Sequence, residues 1–337
     1  MIIVLLLSAL LLSVYLVRLL MRYAISRDVL AIPNERSSHT LATPSGGGAA
    51  IVIGFLISLV LMHFIAPLDS NVLFAIIGSG LFVAVVGFFD DHSHLPMKLR
   101  LAVHFISAFW VLYWLDIYDS AAFSDFNFFL KWSVLLIISV ALVWLLNLYN
   151  FMDGIDGIAA SEAIFISVVL GFFSYIQGQL GLSLMAFSLV VATTGFLFFN
   201  WPPAKIFMGD VGSGFLGITL GGITLILVIV TQVALPYFIL FGVFIVDSTL
   251  TLAARFIRGE RWYTAHCSHA YQYAARRWGH LRVTVAVNLI NIFWLFPFSY
   301  IAYIYPDISV VLAIVALMPL VFITLTLGAG RRPELGE

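Results

Sequence analysis

Asn147, Asn150, Asp153 and Asp156 follow one another at steps of three in the run Asn147-Leu-Tyr-Asn150-Phe-Met-Asp153-Gly-Ile-Asp156-Gly157, directly after a long apolar stretch. Lipid offers no partners to such groups, so a polar cluster at this depth marks a functional site. Carboxylate and amide oxygens suit a hard divalent cation and the phosphates it carries. On an ideal helix a step of three turns the side chain by about −60°, so Asn147 and Asp156 would point almost oppositely. All four can meet one ligand only if the helix ends near Gly154 and the chain turns, a break that Gly154 and Gly157 suit. The alternative is that Asn147 caps or packs between helices while the aspartates are solvated.

Three further groups carry potential chemistry. Asp90-Asp91 closes the apolar run Val-Val-Gly-Phe-Phe; adjacent carboxylates repel and need a metal, a basic partner or a raised pKa. They read as a general base, a metal-site pair or a solvated helix end, and Lys98 and Arg100 could hold a phosphate or neutralise them. Phe207-Met-Gly-Asp210-Val-Gly-Ser213-Gly lets backbone approach a ligand near a helix N-terminus, which attracts phosphate, while Asp210 needs a cation beside that phosphate. No Gly-Lys-Ser/Thr follows, so it is not a Walker loop. The stretch Arg255 to Arg282 holds Arg255, Arg258, Arg261, Arg276 and Arg277 around His266-Cys-Ser-His269, where phosphate contact fits better than zinc because other soft ligands are missing. Arg36, His39 and the glycines after Pro44-Ser45 lie in an earlier polar stretch that reads equally well as a linker. Asp247 sits inside an apolar span, where an ionisable group should face a cavity. His63, His94, His104 and His280 have no supporting context and read as structural or interfacial.

The elements that must position these groups are membrane helices. The 337-residue chain is 62% hydrophobic and only 10% charged, which excludes an ordinary soluble domain. One cysteine, Cys267, excludes an internal disulfide. Eleven apolar windows read as spans: 2–20, 49–66, 72–89, 101–116, 131–149, 158–176, 181–199, 214–231, 234–254, 284–303 and 308–327, with ten as the other count. The fourth and eighth are the weakest. The first window has no basic n-region or cleavage site and reads as a retained helix. If the polar stretches 21–48, 90–100, 150–157, 200–213, 255–283 and the tail face the cytoplasm, Lys131 is the one exception among sixteen Lys and Arg residues. That asymmetry puts the N-terminus outside and the C-terminus inside. The expected architecture is an all-α polytopic bundle forming a single transmembrane catalytic domain, with those inner stretches building the site.

Taken in order, Asp90-Asp91, Asn147-x-x-Asn150-x-x-Asp153-Gly-x-Asp156-Gly157, Phe207-Met-Gly-Asp210-x-Gly-Ser213 and His266-x-x-His269 resemble the polyprenyl-phosphate N-acetylhexosamine-1-phosphate transferases. This family includes the phospho-MurNAc-pentapeptide translocase. The resemblance runs from about Pro33 to Arg282, and the stretch from Arg261 is most similar to the O-antigen-initiating branch, lacking the three consecutive histidines usual in the translocase. Ser45 and Cys267 depart from positions where relatives often carry arginine.

The resemblance implies transfer of a sugar 1-phosphate from a UDP-N-acetylhexosamine to undecaprenyl phosphate, releasing UMP, on the inner face of a bacterial cytoplasmic membrane. It implies Mg²⁺, with Mn²⁺ as a substitute, held by Asp210 and Asn150. Asp153 and Asp156 would lie near nucleotide and metal, Asp90 and Asp91 near the acceptor phosphate, and His266 and His269 near diphosphate or sugar. Arg36, Lys98, Arg100, Asn147, Ser213 and Arg261 complete the expected substrate contacts. No nucleic acid is expected as a partner, and a homodimer is compatible with the chain. The acceptor phosphate has a second pKa of about 6, so near neutral pH it needs little deprotonation, and Asp90 or Asp91 should orient more than abstract a proton. A groove between helices should take the prenyl tail, with Phe105, Phe109 and Trp110 as candidate lining. A secondary transporter of an anionic or phosphorylated metabolite would place its polar groups near the midplane within inverted repeats. Here they cluster at inner ends and no repeat is visible. A prenyl-diphosphate phosphatase would carry an acid-phosphatase motif, which is missing.

Overall fold

In a bilayer every backbone N–H and C=O must be satisfied internally, and this chain does so with helices. A computed structural model describes residues 2–32, 42–93, 95–119, 125–260 and 266–331. Arg36 and Arg261, expected to touch substrate, lie outside the described residues, as do His39 and His94. The helices are α1 (Ile2–Ser26), α2 (Gly48–His63), α3 (Ser70–Ser93), α4 (Met97–Trp114), α5 (Phe128–Met152), α6 (Ile158–Ile176) and α7 (Leu180–Asn200). They continue as α8 (Asp210–Thr231), α9 (Leu235–Leu240), α10 (Gly242–Ile257), α11 (Ala270–Trp278), α12 (His280–Ile290), α13 (Phe296–Ile304) and α14 (Ser309–Thr326).

Every apolar window falls on helix, and among the described residues eight helical stretches are long and apolar enough to cross a membrane. The short α2 and α4 are not among these eight; α4 carries Lys98 and Arg100 in its first turn. Two windows differ from continuous spans. The ninth breaks at Phe241 into α9 and α10, and the tenth runs as α12, a π-helical turn at Asn291–Leu295, and α13. The polar stretch 255–283 also holds a helix, α11, whose charged face reads as a loop in a search for apolar windows.

α8 is the axis. It packs against α3 and α5, with α2 and α6 on its remaining faces, and its residues from Val211 to Ile223 are continuously buried. Such a helix must be small-sided, and it carries Gly212, Gly214, Gly217, Gly221 and Gly222. A methyl on Gly48 of α2 would stand 2.3 Å from the Cα of Gly212. On α3, a methyl at Gly87 would stand 2.6 Å from the Asp210 backbone. Ser79 and Ser139 are satisfied by their own i−4 carbonyls, of Ala75 and Leu135.

The functional ends meet at one side of the bundle: the C-termini of α3 and α5 and the N-terminus of α8. Backbone bonds lace Pro44–Gly48 to Phe207 and Met208 there, from Phe207 N–H to Pro44 O (2.8 Å) and from Gly48 N–H to Met208 O (2.8 Å). Leu30–Ala31 pairs antiparallel with Thr43–Pro44 beside them. Because Gly87 sets how close α3 comes to Asp210, Gly87→Ala should destabilise the fold by about 1–3 kcal/mol. Gly54→Ala, whose methyl would meet its nearest neighbours at 3.6 Å, should stay near wild type. Thermal unfolding in detergent separates the two.

Candidate active site

Two cavities of opposite character open on this end. The first, about 430 Å³, lies between α3, α4, α5 and α8 and is apolar, lined by Val83, Leu101, Phe105, Val143 and Trp144, with Arg100 and Asn147 at its polar end. The second, about 330 Å³, is polar, lined by Ser45, Asp91, Asp153, Asp156, Asn200, Ser213 and Gln272. Asn150 and Asp210 line both. Phe109 and Trp110 line neither; Trp110 packs toward α3, its indole N–H donating to Phe74 O at 2.7 Å.

Asp210 occupies the first position of α8, and each of its oxygens is held. Oδ1 accepts from Asn150 Nδ2 (2.8 Å), which also donates to Ser213 Oγ (3.0 Å). Oδ2 accepts from Arg100 Nη1 (3.0 Å), and the same guanidinium nitrogen reaches Asp90 Oδ2. Arg100 thus bridges a carboxylate of α3 and one of α8. A third of the Asp210 side chain stays exposed to the cavities. Asp91 points the other way: Oδ1 accepts from the Asp210 N–H (2.8 Å) and Oδ2 from the Val211 N–H (3.3 Å). It caps the positive N-terminus of α8 from a neighbouring helix, which Gly209 cannot do with a side chain of its own.

The run that opened the sequence reading does bend where its glycines allow. α5 ends at Met152, and Gly157 adopts φ +75° before α6 begins. Asn147 remains on α5 with its Nδ2 on the Val143 carbonyl (2.7 Å), while Asn150, Asp153 and Asp156 reach the polar cavity. Burial and the nearby carboxylates of Asp210, Asp91 and Asp156 push Asp153 well above the ordinary carboxylate range. Asp156 Oδ2 accepts from Ala204 N–H (3.0 Å) and its Oδ1 lies 3.1 Å from His280 Nδ1.

Lys98 is exposed and lines neither cavity. His266 and His269 stack at 4.9 Å between ring centroids, behind Phe151, which lines the apolar cavity. Burial, then His269 and Arg255, push His266 down to about 3, so it is neutral near pH 7. Asp247 faces neither of these cavities but lines a third, apolar one of about 340 Å³ beside α11 and α12, and it holds α11. Its oxygens accept from the N–H groups of Ala270 (3.0 Å) and Tyr271 (2.9 Å), and His269 Nδ1 lies 3.3 Å away. Tyr271 in turn donates to Phe151 O (2.9 Å), tying α11 to the end of α5. Sequence reasoning missed Asn200, Gln272, Tyr271 and His280. Asn200 ends an apolar span just as Asn147 does, and that position is the signal that could have found it; its amide takes the Gly157 N–H and gives to Ile206 O, both at 2.9 Å.

A divalent cation fits this donor set. Among the described residues no three His, Cys, Asp or Glu side chains are grouped so as to hold a metal ion on their own. The partly exposed Asp210 carboxylate, the Asn150 amide and the carboxylate-rich wall form an open oxygen site, the kind Mg²⁺ completes with water and substrate phosphates.

The sequence profile described as glycosyl transferase family 4 matches residues 73–228. The chain is 30% identical over 282 residues to a phospho-N-acetylmuramoyl-pentapeptide-transferase of Geobacillus sp. (strain WCH70), covering 77% of this chain and 84% of the relative. It is 27% identical over 302 residues to the transferase of that name in Bacillus subtilis (strain 168), covering 83% and 90%. A probable undecaprenyl-phosphate N-acetylglucosaminyl 1-phosphate transferase of the same organism is 28% identical over 246 residues, covering 71% and 67%. The chain belongs to the polyprenyl-phosphate N-acetylhexosamine-1-phosphate transferase family. It is a multi-pass membrane enzyme of the sugar-1-phosphate transferase class.

Asp91→Ala should leave two N–H groups of α8 uncapped, lowering stability by about 1–2 kcal/mol and displacing Asp210. Asp91→Asn keeps one acceptor and should fall between. An Asp91→Ala protein that melts with wild type would rule out the capping role.

Proposed function

We propose that the protein transfers an N-acetylhexosamine 1-phosphate from a UDP-sugar to undecaprenyl phosphate, giving undecaprenyl-diphospho-sugar and UMP, and so initiates O-antigen or another cell-envelope polysaccharide. One observation carries the reading: an apolar cavity and a polar cavity meet at Asp210 and Asn150. The apolar cavity suits a prenyl tail and the polar one a nucleotide-sugar, so their junction is where the two phosphates would face each other. Among the described residues, Arg100 is the one Lys or Arg lining either cavity, and it stands at the polar end of the apolar one. The O-antigen branch rests on the stretch from Arg261 to Arg277. The cytoplasmic face rests on the Lys and Arg asymmetry.

In the reaction, an oxygen of the acceptor phosphate forms a bond to the sugar-linked phosphorus of the donor. The bond from that phosphorus to the bridging oxygen breaks, and UMP leaves with the electron pair. Phosphoryl transfer of this kind asks mainly for positioning and charge neutralisation. Bound Mg²⁺ would supply that neutralisation, held by Asp210 with Asn150 beside it. Arg100 orients the acceptor phosphate while its bonds to Asp90 and Asp210 fix its own position. Asp91 spends both oxygens on backbone N–H groups, which leaves it a poor base. Asp153 sets the charge of the nucleotide cavity, and the histidine pair, behind Phe151, supports the end of α5 rather than lining either cavity.

Membranes containing the protein should release UMP from a UDP-N-acetylhexosamine only with both Mg²⁺ and undecaprenyl phosphate; UDP-GlcNAc, UDP-GalNAc and 6-deoxy analogues identify the donor. No UMP with any of them would overturn the reading. Chelation should abolish the release and added Mg²⁺ restore it, and Asp210→Ala should cost about 10²–10³-fold in kcat.

Val143 lines only the apolar cavity. Val143→Trp should therefore raise KM for undecaprenyl phosphate about tenfold or more and leave KM for the UDP-sugar near wild type. Equal changes in both would count against the assignment of the cavities.

A further inference from the structure

α12 presents a polar stripe at His280, Thr284 and Asn288, continued by Asn291 in the π-helical turn. Spacings of four, four and three residues put them on one helix face. That stripe lies along the loop and helix that follow Asp153. Thr284 Oγ1 donates to the Asp156 carbonyl (2.8 Å), Asn288 Nδ2 to Ser161 Oγ (2.9 Å), and Asn291 Nδ2 to Glu162 Oε2. His280 begins the stripe, its Nδ1 3.1 Å from Asp156 Oδ1 and 3.4 Å from the Asp156 backbone nitrogen. The hydrogen bond runs from the Asp156 N–H to Nδ1, with the carboxylate set against the same edge of the ring.

Asp156 is therefore gripped from three directions. His280 Nδ1 accepts the backbone N–H, the Ala204 N–H donates to one carboxylate oxygen, and Thr284 donates to the carbonyl. The carboxylate still lines the polar cavity, whereas His280 does not and has a side chain only 16% exposed. Gly157 next door leaves no slack: a methyl there would meet Pro202 at 3.3 Å and Thr284 at 3.5 Å. A loop clamped in this way transmits the placement of α12 into the floor of the cavity.

We propose that His280 is a positioning residue for the nucleotide-sugar: its imidazole, bonded to the Asp156 backbone N–H and set against the Asp156 carboxylate, holds the 153–157 floor in the geometry that binds the donor. The proposal rests on the transferase reading and on the polar cavity being the donor's side. The imidazole touches neither reacting phosphate, so its loss should weaken donor binding while the chemical step survives.

Steady-state kinetics on purified protein test this. His280→Ala should raise KM for the UDP-sugar about tenfold, the size of effect seen when a buried partner of a site residue is removed. kcat and KM for undecaprenyl phosphate should change by less than about twofold, within the range that ordinary surface substitutions cause. His280→Asn, whose side-chain oxygen can accept the Asp156 N–H in place of Nδ1, should recover most of the loss. Asp156→Ala, which removes a carboxylate lining the cavity, should raise donor KM at least as far as His280→Ala. Asn288→Ala, two turns further along the stripe, should lower the melting temperature without raising donor KM. Calorimetric titration of UMP gives the same comparison without turnover.

An unchanged donor KM in His280→Ala overturns the proposal. So does a fall in kcat with both KM values raised alike that His280→Asn does not rescue, or a donor KM raised as much by Asn288→Ala, since each assigns the effect to packing of α12. Wild-type protein that makes no product from any UDP-sugar sinks the transferase reading itself. An active wild type with unaffected variants sinks only the role of His280.

Discussion

The N-terminus of α8 is a half-positive helix end driven into the middle of a bundle, and the site depends on how it is compensated. Asp91 of α3 supplies a carboxylate to its first two N–H groups, and Gly87, one turn earlier on the same helix, lets the two backbones come that close. With the end capped from outside, the side chain of Asp210 is released from any capping duty and can turn to Arg100, Asn150 and the cavities. The adjacent acidic pair on α3 thus does two separate jobs. Asp91 holds a helix and Asp90 holds an arginine.

The same device recurs on the other side of the site. Asp247, buried in α10, caps α11 through Ala270 and Tyr271, and Tyr271 carries that restraint to the carbonyl of Phe151. A carboxylate inside an apolar helix is costly unless several donors surround it, and a helix N-terminus offers them ready-made. Two acidic residues at membrane depth are therefore explained as fixtures that aim other helices.

Much of this was legible in the chain. That the apolar windows form helices, that the chain turns near Gly154 and that polar side chains gather at one end of the bundle all follow from hydropathy and helix geometry, which are local properties. The division of labour within Asp90-Asp91 was not. Which of two neighbouring carboxylates meets a guanidinium and which meets a helix end depends on the rotation of α3 against α8, a long-range packing outcome. His280 was dismissed for want of neighbours, because its partner lies 124 residues away in sequence. The four-residue spacing of His280, Thr284 and Asn288 within an apolar span was visible, and a polar stripe on a membrane helix demands a polar seam opposite.

That seam bears on how the protein is made. α12 and its π-helical turn carry amides that hydrocarbon cannot satisfy, and one of them, Asn291, finds its partner in Glu162, 129 residues upstream. Glu162 is fully buried on α6 and has Asn291 as its side-chain hydrogen-bond partner. A chain that stopped before α12 would leave Glu162 buried on α6 without that amide, so the interior of the earlier helices is complete only with α12 in place.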